Sequence, residues 1–82
     1  SGRKANLTIA LEDKPGQLQR VAEIVSRCGS NVVSVLHDGS DPNMPISSCF
    51  LKLTLETRDA VQIEQIRAEL TKEGFQLVSE RV

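Results

Sequence analysis

The chain has 82 residues, with 10 basic against 11 acidic and a net charge of −1. That is room for one small domain and too little for two, since domains run from about 50 to 250 residues. The balanced charge excludes an electrostatic footprint for nucleic acid or an anionic membrane, and no apolar run approaches the ~20 residues of a membrane span.

From Ala5 to Leu11 apolar and polar residues alternate, the period of a strand with one buried face. The strand stops at Leu11-Glu12-Asp13-Lys14-Pro15-Gly16-Gln17-Leu18, a Pro-Gly corner after which a helical period begins. Pro15, with fixed φ and no N–H, suits the first turn of that helix. Gly16 lets the backbone approach another surface. The N–H groups that follow, at the positive end of the helix dipole, suit a carboxylate or phosphate. Taken alone the corner is either such a site or a structural turn. Leu18, Val21, Ala22, Val25 and Cys28 then recur at helical spacing, with Gln19, Arg20, Glu23 and Arg27 on the other side, and Gly29 stands where a helix stops.

Asn31 opens a β-branched run through Val32, Val33 and Val35 to Leu36 and His37, a second strand. Gly39 to Pro45 is dense in turn formers and reads as an open loop. Ile46 to Thr57 carries the clearest alternation, with Cys49, Leu51, Leu53 and Leu55 on one face, and reads as a central strand. Asp59 is a candidate N-cap, with Gln62 three residues on completing a capping-box-like pair. Ile63, Ile66 and Leu70, with Val61 near the start, mark a second amphipathic helix that Gly74 closes. Phe75 to Glu80 makes a last short strand. With no Trp or Tyr and two Phe, the core is aliphatic. Cys28 and Cys49 read as reduced, buried small hydrophobes.

One apolar stripe per helix and one apolar face per strand predict an α+β, ferredoxin-like βαββαβ two-layer sandwich. Its antiparallel four-stranded sheet has two helices on one face, strands one and three central, and strands two and four at the edges. A core this small gains from pairing, and the apolar edge from Val32 to Leu36 invites a second copy. The central-strand positions Thr8, Phe50 and Lys52 lack the aromatics of an RNA-binding sheet, and no Cys-x-x-Cys stands on the first loop to hold a metal. No catalytic set assembles around His37, the only histidine, which reads as a bystander. Lys14 reads as a solvated loop charge rather than a ligand clamp.

Asp13-Lys14-Pro15-Gly16-x-Leu18 after the first strand, Gly29-Ser30-Asn31-Val32 entering the second, and the Gly74-Phe75 turn together resemble the ACT domain. The run from Val35-Leu36-His37-Asp38 to Leu53-Thr54-Leu55-Glu56-Thr57-Arg58 resembles, more narrowly, the C-terminal regulatory ACT domain of pyridoxal-phosphate-dependent threonine ammonia-lyases. This loop departs from that pattern in having no arginine soon after the histidine.

The resemblance implies a single regulatory domain over 1–82. Its opening Ser1-Gly2 fits a module excised from a larger enzyme, or trimming of an initiator. It implies an amino-acid effector, a catalytic domain in the same chain, a homodimer or higher homo-oligomer through edge strands, a cytoplasmic setting, and no cofactor of the domain's own. The ligand would sit between two units at Asp13, Lys14, Gly16, Gln17 and Leu18, with Asn31 opposite. There the N–H groups of Gly16, Gln17 and Leu18 would take its carboxylate, and Asp13 or Asn31 its ammonium; alternatively Asp13 caps the helix. Catalytic and metal-ligating residues are expected to be absent. A second reading makes the chain a pairing module with a vestigial site.

Overall fold

The computed structural model describes residues 3–12, 14–39 and 48–78. Their order is β1 (Arg3–Glu12), α1 (Gln17–Arg27), β2 (Asn31–Asp38), β3 (Ser48–Thr57), α2 (Ala60–Lys72) and β4 (Gln76–Val78). The four strands form one antiparallel sheet in the order β2-β3-β1-β4, the expected ferredoxin-like arrangement with β1 and β3 central.

β1 and β3 pair along their full length, from Arg3 with Thr57 to Glu12 with Ser48. Leu7 and Ile9 stand opposite Leu53 and Leu51, so the alternation in the two strands lands on one face. That face meets Val21, Ile24 and Val25 of α1, Ile66 and Leu70 of α2, and Phe75 in a single buried cluster. Burial of these side chains, at about 25 cal/mol per Å² of apolar surface removed from water, is what holds the layers together. Cys28 is half-buried and Cys49 buried, and both are free thiols.

Several local expectations are corrected. Pro15 does not enter the first turn of α1. Gly16 at φ 89° is the N-cap, and its left-handed backbone breaks the helical path, which starts at Gln17. The α1 stripe is Val21, Ile24, Val25 and Cys28, whereas Ala22 is exposed and Leu18 is 49% exposed at the rim of the layer. In α2 Val61 faces solvent, and Gln62 takes the buried position, where its amide oxygen and nitrogen each make a hydrogen bond.

Asp59 caps α2 as expected, accepting from the Gln62 N–H at 2.9 Å. The Gln62 side chain reaches past the cap residue, however, and accepts from the Arg58 N–H at 2.7 Å. β1 runs longer at both ends than predicted, and β4 is confined to three residues, with Phe75 in the core just before it. The expected loop from Ser40 to Pro45, residues 46–47 of the third strand, and Ser79 and Glu80 of the last lie outside the described residues.

β2 carries a bulge: Val32 stands opposite Leu55 and Ser34 opposite Thr54, leaving Val33 as the extra residue. Beyond it Val35 faces the helix side and Leu36 the open side of the sheet. Val33, Val35 and Leu36 are 47, 44 and 59% exposed, so this edge strand presents apolar side chains in both directions.

Candidate functional site

The corner between β1 and α1 is built by a short hydrogen-bonded path. The Lys14 N–H donates to the Glu12 carbonyl at 3.0 Å, the Gln17 N–H to the Lys14 carbonyl at 3.5 Å, and the Arg20 N–H to the Gly16 carbonyl at 3.0 Å. The last is the first α-helical bond, so helix geometry leaves the N–H groups of Leu18 and Gln19 pointing out of the N-terminus. The Gln17 N–H, expected to meet a ligand, is already turned toward Lys14. Gly16 is needed for its positive φ; a Cβ built there meets nothing within 4 Å, so no close approach among the described residues explains it.

Lys14 pairs with Glu12 at 3.4 Å with both side chains well exposed, a contact worth at most about 1 kcal/mol. Asp13 lies outside the described residues. Gln17 is half-buried and Leu18 exposed.

Asn31 is elsewhere. Glu12 pairs with Ser48 and Asn31 with Glu56, at the two ends of β3, eight residues or about 27 Å apart. Within one chain Asn31 and the corner do not form one site. Around Asn31 the Ser30 hydroxyl donates to the Glu56 carbonyl at 2.6 Å, and the Gln62 amide donates to the Cys28 carbonyl at 2.9 Å. The C-terminus of α1 is thereby tied to the N-terminus of α2.

Arg20 is the residue that sequence reasoning left on the solvent side. Its guanidinium lies 4.7 Å from the centroid of the Phe75 ring, and it donates to the Glu73 carbonyl at 3.1 Å and to the Gln17 side-chain oxygen at 3.3 Å. An arginine whose guanidinium lies over an aromatic ring is invisible to helical periodicity, which counts it as polar. Among the described residues no group of His, Cys, Asp or Glu is arranged to hold a metal ion, and no helix is long and apolar enough to cross a membrane.

No protein-family model matches the chain. In sequence it is 36% identical over 77 residues to the L-threonine ammonia-lyase of Thermotoga maritima, covering 94% of this chain and 19% of that protein. Against the L-threonine ammonia-lyase of Geobacter sulfurreducens it is 29% identical over 75 residues, covering 92% of this chain and 19% of that protein. The chain therefore spans about a fifth of the length of these curated relatives. In structure it is similar to the ACT domain from the GTP pyrophosphokinase of Chlorobium tepidum, with a TM-score of 0.68 at 15% identity over 95% of this chain and 100% of that one. The chain thus has the ACT-domain fold and is similar, over nearly its whole length, to a segment of L-threonine ammonia-lyases.

Proposed function

We propose that the chain is a non-catalytic regulatory domain that binds a small amino acid and passes its occupancy to the catalytic domain of a cytoplasmic threonine ammonia-lyase. The observation that carries this reading is the match of 94% of the chain to a segment amounting to 19% of an L-threonine ammonia-lyase. In this reading residues 1–82 are one domain without a cofactor of its own. Occupancy acts on the enzyme only if the ligand binds two arrangements of the assembly with different affinity.

In this reading the site closes between two copies. A second copy pairing antiparallel along β2, with the two-fold axis at the middle of the strand, would set its Asn31 beside this chain's Asp38. Asp38 stands opposite Phe50, near the Ser48 end of β3 and so at the corner end of the sheet. Asn31 of one copy and the Gly16–Leu18 turn of the other then approach one space, although in one chain they stand apart. The effector carboxylate would meet the Leu18 N–H, and Asn31 would orient its ammonium.

A thermal-shift panel of the twenty amino acids tests this. A ligand at 100 times its Kd adds about 2.7 kcal/mol, a shift on the order of 10 °C or more in a small domain. A rise for one amino acid or a narrow class is the expected result. A flat panel on the dimeric protein favours the second reading, a pairing module with a vestigial site, which the exposed Val33, Val35 and Leu36 of the β2 edge support.

A further inference from the structure

A cleft of about 280 Å³ opens between the first turn of α1, the end of β1 and the turn from α2 into β4, walled by Leu11, Glu12, Gln17, Arg20, Phe75 and Gln76. We propose that it is a second ligand site, complete within one chain, that takes the carboxylate of a small α-amino acid on Arg20. It needs neither Asn31 nor a partner copy and so goes beyond the site between copies.

Three observations carry it. The first is charge. Arg20 and Arg27 both approach Glu73, each at 3.8 Å, so two guanidinium groups share one carboxylate, and Lys14 balances Glu12 at the rim. Among the described residues these five side chains carry one net positive charge, and Arg20 is the cation of the group that lines the cleft, where an anion would meet it.

The second is pre-organisation. Arg20 is half-exposed yet held in place by the Phe75 ring, the Glu73 carbonyl and Gln17. Those bonds use two of the five N–H groups of a planar fork suited to carboxylate. A side chain fixed beforehand loses little entropy when a ligand arrives.

The third is the sheet edge. β4 begins at Gln76, opposite Ala10, so Leu11 and Glu12 have no β4 partner. Successive strand residues turn their main-chain N–H and C=O to opposite sides. One of these two therefore turns its main-chain N–H and C=O toward the cleft; the Glu12 carbonyl already accepts from the Lys14 N–H, and neither Leu11 nor Glu12 has a ladder bond to β4. The volume lies just below that of drug-sized pockets and suits a ligand of amino-acid size. Arg20 would take the carboxylate, Glu12 stands at the rim for the ammonium, and Leu11 supplies an apolar wall for the side chain.

The test is an amide-resolved NMR titration of the 82-residue chain with L-threonine and with propionate, using sodium chloride as the ionic control. The expected result is saturable movement of the Leu11, Glu12, Gln17, Gly74 and Gln76 amides with both probes, tighter with L-threonine, and none with chloride. Arg20→Gln is expected to raise Kd at least tenfold. Because Arg20 also joins α1 to the α2–β4 turn, a second variant, Gln76→Glu, places a carboxylate at the exposed mouth and leaves the arginine's supports intact; it is expected to weaken binding similarly at an unchanged melting temperature.

Movement confined to Leu18 and Asn31 overturns the cleft and upholds the site between copies. Saturable movement that neither variant alters, equal movement with chloride, or no movement with 20 mM of either organic probe also overturns the cleft. In the last case the twenty-amino-acid panel still decides whether the domain binds an effector between copies.

Discussion

Replacing Gln62 by methionine removes a buried hydrogen-bonding side chain while nearly keeping its volume. Gln62 is 1% exposed; its carbonyl oxygen accepts from the Arg58 N–H at 2.7 Å, and its amide donates to the Cys28 carbonyl at 2.9 Å. The N-cap bond from the Gln62 main-chain N–H to Asp59 survives the change. Two main-chain groups lose their partners, and each unsatisfied group costs about 1–3 kcal/mol, the lower part of that range applying here because Cys28 is only half-buried and Arg58 is exposed. The expected loss is about 2–4 kcal/mol, a large part of the roughly 4–12 kcal/mol available to a domain of this size. In urea the midpoint should fall by about 2 M or more at constant m, and the melting temperature by roughly 10–25 °C. Gln65→Met, on the exposed side of the same helix, should change stability by less than about 0.5 kcal/mol. If Gln62→Met also loses less than about 0.5 kcal/mol, the tie between the helix ends contributes little and the reasoning is refuted.

Gly16 and Gly29 separate backbone strain from crowding. Both have positive φ, but a Cβ at Gly16 meets open space, whereas at Gly29 it lies 3.3 Å from the Gln62 amide nitrogen. Gly16→Ala should cost about 1–2 kcal/mol from strain alone, and Gly29→Ala clearly more; paired melts showing the reverse order contradict the packing described around Gln62. Asn31→Ala should weaken amino-acid binding without lowering the melting temperature, and unchanged affinity by calorimetry removes Asn31 from the site. Leu36→Lys, at a 59% exposed position on the β2 edge, should shift any dimer toward monomer in sedimentation equilibrium while leaving the monomer folded.

Much of the fold was legible because β1 and β3 alternate cleanly, and the helices between strands force crossovers that leave few topologies. Leu7, Ile9, Leu51, Leu53, Leu55, Ile66 and Leu70 all occupy the core that their periodicity implies. What escaped was set by single torsions and long side chains. The spacing of Leu18, Val21 and Ala22 looks helical, but the face that packs on the sheet carries Val21, Ile24 and Val25 and leaves Leu18 and Ala22 exposed. Gln62 and Arg20 count as polar in any pattern, yet one fills a core position and the other lies over Phe75. Of the residues proposed for the site, Lys14, Gly16, Gln17 and Leu18 are gathered at one corner and Asn31 is at the other end of the sheet, a separation that no local motif encodes.

The extra residue at Val33 acts as a parity switch for the strand that follows it. With Val32 fixed opposite Leu55, an unbroken ladder would place Ser34 and Leu36 on the helix side and Val35 and His37 on the open side; the bulge reverses all four. Straightening the bulge at constant chain length would exchange which side chains the edge shows to a neighbour, whereas loss of Val33 itself would keep Ser34 opposite Thr54 and Val35 opposite Leu53, the faces they have now. The bulge therefore absorbs the extra residue locally and holds Val35 and Leu36 on the faces this edge presents, independently of the β1–β3 core.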